Sequence, residues 1–168
     1  MNKLTKLAVC LALPLSGAVF VSSAVAATAT TTFPVTASVI DSCTVAATPL
    51  AFGNYTGITA LVLDATATIT PTCTLGTAYT ITLDAGLGTG ATLTTRRLSG
   101  PASATLDYAI YTDPTRTTVW GNGGGGTGTR AGVGLGAAEP GLLYGRIPAS
   151  QATAVGSYLD TITVTLTY

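Results

Sequence analysis

The segment TITVTLTY, residues 161–168, alternates strictly: Ile162, Val164, Leu166 and Tyr168 fall on one side of an extended chain and threonines on the other. A period of two describes a strand with one buried face and suits no helix. The same pattern recurs along the chain. Phe33, Val35, Ala37 and Val39 share one face of TTTFPVTASVIDSC, residues 30–43; ATATITPTCTL spans 65–75 and AYTITLD spans 78–84; Leu106, Tyr108 and Ile110 share a face of LDYAIY. Shorter or more polar strands are expected at 50–55, 91–98, 117–120 and 142–148, with Pro71 marking an edge or a bulge because it has no N–H for a ladder. Helical periodicity occurs only in the first residues. Strands about 8 to 12 residues apart, with glycine-rich turns between them, predict an all-β sandwich.

The first 26 residues differ in kind. Lys3 and Lys6 precede an apolar stretch from Leu7 to Val21, and Ala24-Val25-Ala26 closes it. This is the plan of a secretory signal peptide, with cleavage expected before Ala27. Removing residues 1–26 removes both lysines and Cys10 and leaves 142 residues with no Lys and no His, five Arg and seven acids. Cys43 and Cys73 are then an even pair in an oxidising compartment, which argues for a disulfide. A reactive thiol is disfavoured, since no His or Lys is present to lower its pKa.

The same scarcity excludes several chemistries. A Ser/His/Asp triad is impossible without His, and the usual His metal ligands are missing. The acids Asp41, Asp64, Asp84, Asp107, Asp113, Glu139 and Asp160 are spaced like turn and strand-end residues and predict no carboxylate pair for glycoside hydrolysis. Gly123-Gly124-Gly125-Gly126-Thr127-Gly128 satisfies G-x-G-x-x-G, but no helical pattern follows, so a surface loop over 121–136 is the better reading than a nucleotide site. Five scattered arginines make no basic footprint for nucleic acid. Neither cofactor, metal nor enzymatic activity is expected. A surface so poor in charge is weakly protected against self-association, which a protein built to assemble tolerates.

The combined segments resemble a known family. The alternating strand before Asp41-Ser42-Cys43-Thr44-Val45, Thr70-Pro71-Thr72-Cys73, Tyr111-Thr112-Asp113 through Val119-Trp120-Gly121, Tyr144-Gly145-Arg146-Ile147-Pro148 and Gly156-Ser157-Tyr158-x-Asp160 together resemble the spore coat protein U domain, which includes major subunits of archaic, Csu-type chaperone/usher pili. The resemblance implies an incomplete immunoglobulin-like β-sandwich lacking its C-terminal strand. A periplasmic chaperone, then the N-terminal strand of the next subunit at an outer-membrane usher, would complete it by strand addition. On that plan residues 27–41 form a donor extension and 42–168 the sandwich domain. Phe33, Val35, Ala37 and Val39 are the donor side chains, and Ile162, Val164, Leu166 and Tyr168 wall the acceptor groove. Cys43 and Cys73 would form the family's disulfide. The implied role is a structural subunit exported to the periplasm and then to a cell-surface pilus serving adhesion and biofilm formation. A spore or cell-surface coat protein of the same fold is the alternative.

Overall fold

The computed structural model describes residues 25–58 and 61–168. The expected leader, residues 1–26, lies almost wholly outside the described residues. The chain divides into two units, up to Ala37 and from Ser38 to Tyr168. In the first unit the described residues carry no strand or helix, and Phe33 and Val35 are exposed.

The second unit is all-β. Its strands are β1 (Cys43–Ala47), β2 (Leu63–Cys73), β3 (Ala78–Leu83), β4 (Arg96–Ser99), β5 (Thr105–Tyr111), β6 (Arg130–Val133), β7 (Gly141–Ile147) and β8 (Val164–Thr167), with one 3₁₀ turn at Pro101–Ser103. They make two antiparallel sheets, ordered β1-β2-β7-β5-β4 and β6-β3-β8. Alternation decides which side chains enter the core between them. Ala67, Ile69 and Cys73 of β2, Tyr79, Ile81 and Leu83 of β3, and Leu143 and Ile147 of β7 point inward, while the threonines between them face out or lie half-buried. Trp120 is fully buried and donates its indole N–H to the Ile81 carbonyl at 3.1 Å, so the largest side chain of the core satisfies its one polar atom.

The elements differ from the periodic expectation at several places, where contacts across the fold decide the backbone. Residues 50–55 form no strand, yet Leu50, Phe52 and Tyr55 pack against the core, and Phe52 meets Tyr108 edge-on at 5.9 Å. Residues 117–120 make only isolated bridges, Tyr111 to Val119 and Trp120 to Gly128. Part of the expected loop 121–136 is a strand: β6 pairs with β3 from Ala78↔Val133 to Ile81↔Arg130. The Arg130 guanidinium lies over the Trp120 ring, 4.8 Å from its centroid, and donates to the Leu142 carbonyl, which holds this glycine-rich stretch extended. Pro71 sits inside β2 rather than on an edge strand. The β2–β7 ladder ends at Ile69↔Gly141, and the Pro71 carbonyl instead accepts the Glu139 N–H, so its missing donor faces the side that β7 has already left. The strand pattern at 30–39 carries no ladder within this chain.

Cys43 and Cys73 are direct partners in the β1–β2 register and are disulfide-bonded. Just before β1, Asp41 accepts from the Thr77 hydroxyl at 2.8 Å, and Ser42 exchanges bonds with Thr74 through its N–H and its carbonyl. The start of the sandwich is therefore tied to the β2–β3 turn by covalent and hydrogen bonds together.

Candidate functional site

The two sheets do not close on themselves. Among the described residues, β1 is the outer strand of one and pairs only with β2, and β8 is the outer strand of the other and pairs only with β3. The two approach each other without exchanging ladder bonds. Two backbone edges with unused N–H and C=O groups thus border one face of the core, a configuration that normally invites another strand. Where β1 ends and β8 begins, a cavity of about 340 Å³ opens between them. Leu50 and Phe52 line one side and Ile162 and Val164 the other; Ile69 and Ile110 are among the residues that form its floor. Burial of large apolar side chains stops there, leaving Ile162, Val164 and Leu166 half-buried against the core. Tyr168, at the far end of β8, is 60% exposed.

A polar cluster holds the approach to β8 in place. Asp160 accepts the Tyr108 hydroxyl at 2.7 Å through Oδ2, and the N–H groups of Leu87 and Thr161 through Oδ1. A Cβ on Gly86, whose φ is +82°, would overlap this carboxylate, so a glycine is required there. Asp84 Oδ1 accepts from Thr163 and Gly86 N–H, and its own N–H donates to the Thr163 carbonyl. Beneath them Arg96 is fully buried, donating Nε to the Asp84 carbonyl at 2.9 Å and Nη2 to the Trp120 carbonyl at 2.7 Å; Nη1 finds no acceptor among the described residues. Burial pushes the Tyr108 phenol up, and its bond to Asp160 pushes further in the same direction, so it stays a neutral donor.

Burial also pushes the Asp84 carboxyl up, but the bonds from Thr163 and Gly86 and the charge of Arg96 outweigh it and leave its pKa below the ordinary 3.8. A carboxylate whose folded pKa is depressed stabilises the fold above its unfolded pKa, and that contribution disappears as pH falls through the folded value. The stability difference between the wild type and Asp84→Asn is therefore expected to be greatest above about pH 4 and to shrink below it. Denaturant midpoints measured from pH 6 to pH 2 check this; a constant difference would remove Asp84 ionisation from the account.

Of the residues singled out by pattern, Ile162 and Val164 line the cavity, Leu166 packs beside it, and Cys43 and Cys73 pin the far end of β1. Phe33, Val35 and Val39 are respectively 79%, 84% and 91% exposed, and Ala37 is exposed as well. The apolar run at 50–55 points to Leu50 and Phe52, though not to their place in this cavity, and periodicity misses the Asp84–Arg96–Tyr108–Asp160 cluster. Tyr108 has a legible inward phase, but its partner lies 52 residues away and no local signal joins them. Among the described residues no group of His, Cys, Asp or Glu is placed to hold a metal ion, and no helix is long and apolar enough to cross a membrane.

Residues 29–165 match the model of the Spore Coat Protein U domain. The chain belongs to that family. It is 36% identical to Protein U of Myxococcus xanthus over an alignment of 161 residues, covering 88% of this chain and 89% of that one. Among solved structures, the crystal structure of the CsuC–CsuE chaperone–tip adhesion subunit pre-assembly complex, from the archaic chaperone-usher Csu pili of Acinetobacter baumannii, superposes with a TM-score of 0.57 at 20% identity. That match covers 77% of this chain but only 40% of the solved chain, so this Spore Coat Protein U domain shares its fold with well under half of that protein.

Proposed function

We propose that the chain is a secreted structural subunit that polymerises head to tail into a surface pilus, with Phe33 to Val39, inside the extension 27–41 of each copy, completing the sandwich of the next. The observation that carries this is the pair of unpaired edges, β1 and β8, bordering an apolar cavity in a chain whose own exposed segment has the matching alternation. Strand addition supplies main-chain bonds to both edges, while Phe33, Val35, Ala37 and Val39 enter the groove walled by Ile162, Val164, Leu166 and Tyr168. Insertion parts β1 from β8 and replaces their side-chain contact by two ladders. Burying Phe33 and the two valines contributes on the order of 5 to 9 kcal/mol before ordering entropy. An interaction of this kind joins different patches on the two copies and does not close, so it yields a filament.

Before assembly the open groove is an aggregation hazard, which makes a periplasmic chaperone the natural first occupant and an outer-membrane usher the place of exchange. The fold shared with a subunit solved in complex with its chaperone supports this partner. The subunit acts structurally and not as an enzyme, takes no cofactor, and does not bind nucleic acid; adhesion and biofilm formation are the roles such a fibre serves. Deleting 27–39 tests the reading: the full chain is expected to give heat-labile ladders of oligomers on a denaturing gel, and the truncated chain none. A truncated protein that still polymerises with itself would remove this segment as donor.

A coat role without usher-driven fibres is favoured by one observation, the 36% identity to Protein U along nearly its whole length, against a likeness to the pilus subunit in fold alone. Electron microscopy of the producing cell's surface separates thin fibres from a continuous layer, and genes for a chaperone and an usher beside this one would favour the pilus.

A further inference from the structure

The tether between the donor segment and its own sandwich is almost absent. Asp41 and Ser42 are already bonded to Thr77 and Thr74, so Ile40 is the one residue between Val39 and the anchored chain. Two residues of extended backbone span at most about 7 Å. A copy that donates Val39 must therefore hold Asp41 within about that distance of Val39, with the turn 74–77 bonded beside it and so next to the acceptor's groove.

Which end of the acceptor it meets follows from pairing. Both sheets are antiparallel throughout, and antiparallel ladders are the more stable kind. Laid antiparallel to β8, the donor places Phe33 opposite Tyr168, Val35 opposite Leu166, Ala37 opposite Val164 and Val39 opposite Ile162, the register in which all four apolar pairs share the inner face. Val39 then lies at the end of the groove where a second, larger cleft of about 920 Å³ opens between residues 50–58 and 152–158. Leu50, Phe52 and Leu98 line both cavities, so the cleft continues the groove. At its rim Ile58 is 92% and Val155 97% exposed.

The donor brings a matching surface. Its turn 74–77 and the segment 134–136 are joined by the bonds from Gly76 N–H to the Gly134 carbonyl and from Gly134 N–H to the Thr77 carbonyl, and together they expose Leu75 and Leu135. We infer that, beyond the donated strand, successive copies form a second contact: Leu75 and Leu135 of the donor pack into the cleft between 50–58 and 152–158 of the acceptor. The occupant is another copy of this chain because no other partner is tethered so closely. This inference rests on strand donation. It makes the joint between subunits a packed one, where the strand alone would leave a swivel at Ile40.

A photo-reactive residue replacing Leu75 in the full-length chain, with fibres taken from the cells that assemble them, tests the contact. Crosslinks are expected to map to 50–58 and 152–158 of the adjacent copy. The heat-labile ladder in an unirradiated sample, compared with the 27–39 deletion, reports separately on strand donation. If the ladder does not depend on 27–39, the donor reading fails and takes this contact with it. If the ladder stands but crosslinks from position 75 fall elsewhere or are absent, only the second contact is overturned. Leu75→Asp with Leu135→Asp, both on exposed positions, should keep the ladder while lowering the temperature at which it collapses; an unchanged temperature would also overturn the contact.

Discussion

Val35→Asp is expected to leave a folded subunit that no longer assembles. Val35 is 84% exposed in the chain itself, so the substitution touches no core contact and should leave the far-ultraviolet spectrum and unfolding midpoint unchanged. In the neighbour's groove the same side chain would be desolvated beside Leu166, which packs against the apolar core. Losing the valine costs about 1.5 to 3 kcal/mol, and placing a carboxylate without a partner in an apolar site costs several more. A combined loss above about 4 kcal/mol is roughly a thousandfold in occupancy of the groove. Thr36→Asp is the control, because in a strand it faces the opposite side, toward water. The oligomer ladder on a denaturing gel should vanish for the first variant and persist for the second. Loss in both would point to a general charge effect, and persistence in both would reject the groove as the site of Val35.

Removing the disulfide is expected to have the second large effect, this time on the subunit itself. Cys43 and Cys73 are 30 residues apart, and closing such a loop restricts the unfolded chain by about 3 to 4 kcal/mol. Against a typical domain stability of about 5 to 15 kcal/mol that is a large share. The bond also ties the first residue of β1 to the last of β2, beside the Asp41 and Ser42 anchors, so its loss frees the edge that borders the groove. A Cys43→Ala, Cys73→Ala double variant should unfold at markedly lower denaturant with a somewhat steeper slope, because the uncrosslinked unfolded chain exposes more surface, and the wild type under reductant should match it. Equal midpoints with and without reductant would contradict this account.

Much of the sandwich was legible before folding was considered. β2, β3, β5 and β8 coincide with strongly alternating runs, and the inward residues of β2, β3 and β5 follow that alternation, whereas the equally regular run at 30–39 forms no strand. The cysteine pair was readable from the even count that remains once the expected leader is set aside. Elements that failed to show themselves depend on partners distant in sequence. β6 lies in the glycine-rich stretch 121–136 and is too short to carry a pattern; it is extended because β3 lies beside it and Arg130 stacks on Trp120. The apolar run at 50–55 points to Leu50 and Phe52, but they enter the core from irregular backbone and not from a strand. Arg96 reads as a surface cation in sequence and is fully buried in the fold, its guanidinium answered by carbonyls of Asp84 and Trp120.

Period-two alternation, the two cysteines beyond the expected leader and the absence of His predict by themselves that this chain makes strands, can join two of them covalently and carries no His-based chemistry, because each of these is a property of neighbouring residues or of composition. Tertiary structure alone decided which strands stand at the edges. That β1 and β8 border one apolar cavity, and that Asp84 and Asp160 hold the wall leading into β8, depends on backbone groups finding or lacking partners across the sheets, and no local pattern encodes which hydrogen bonds remain unmade.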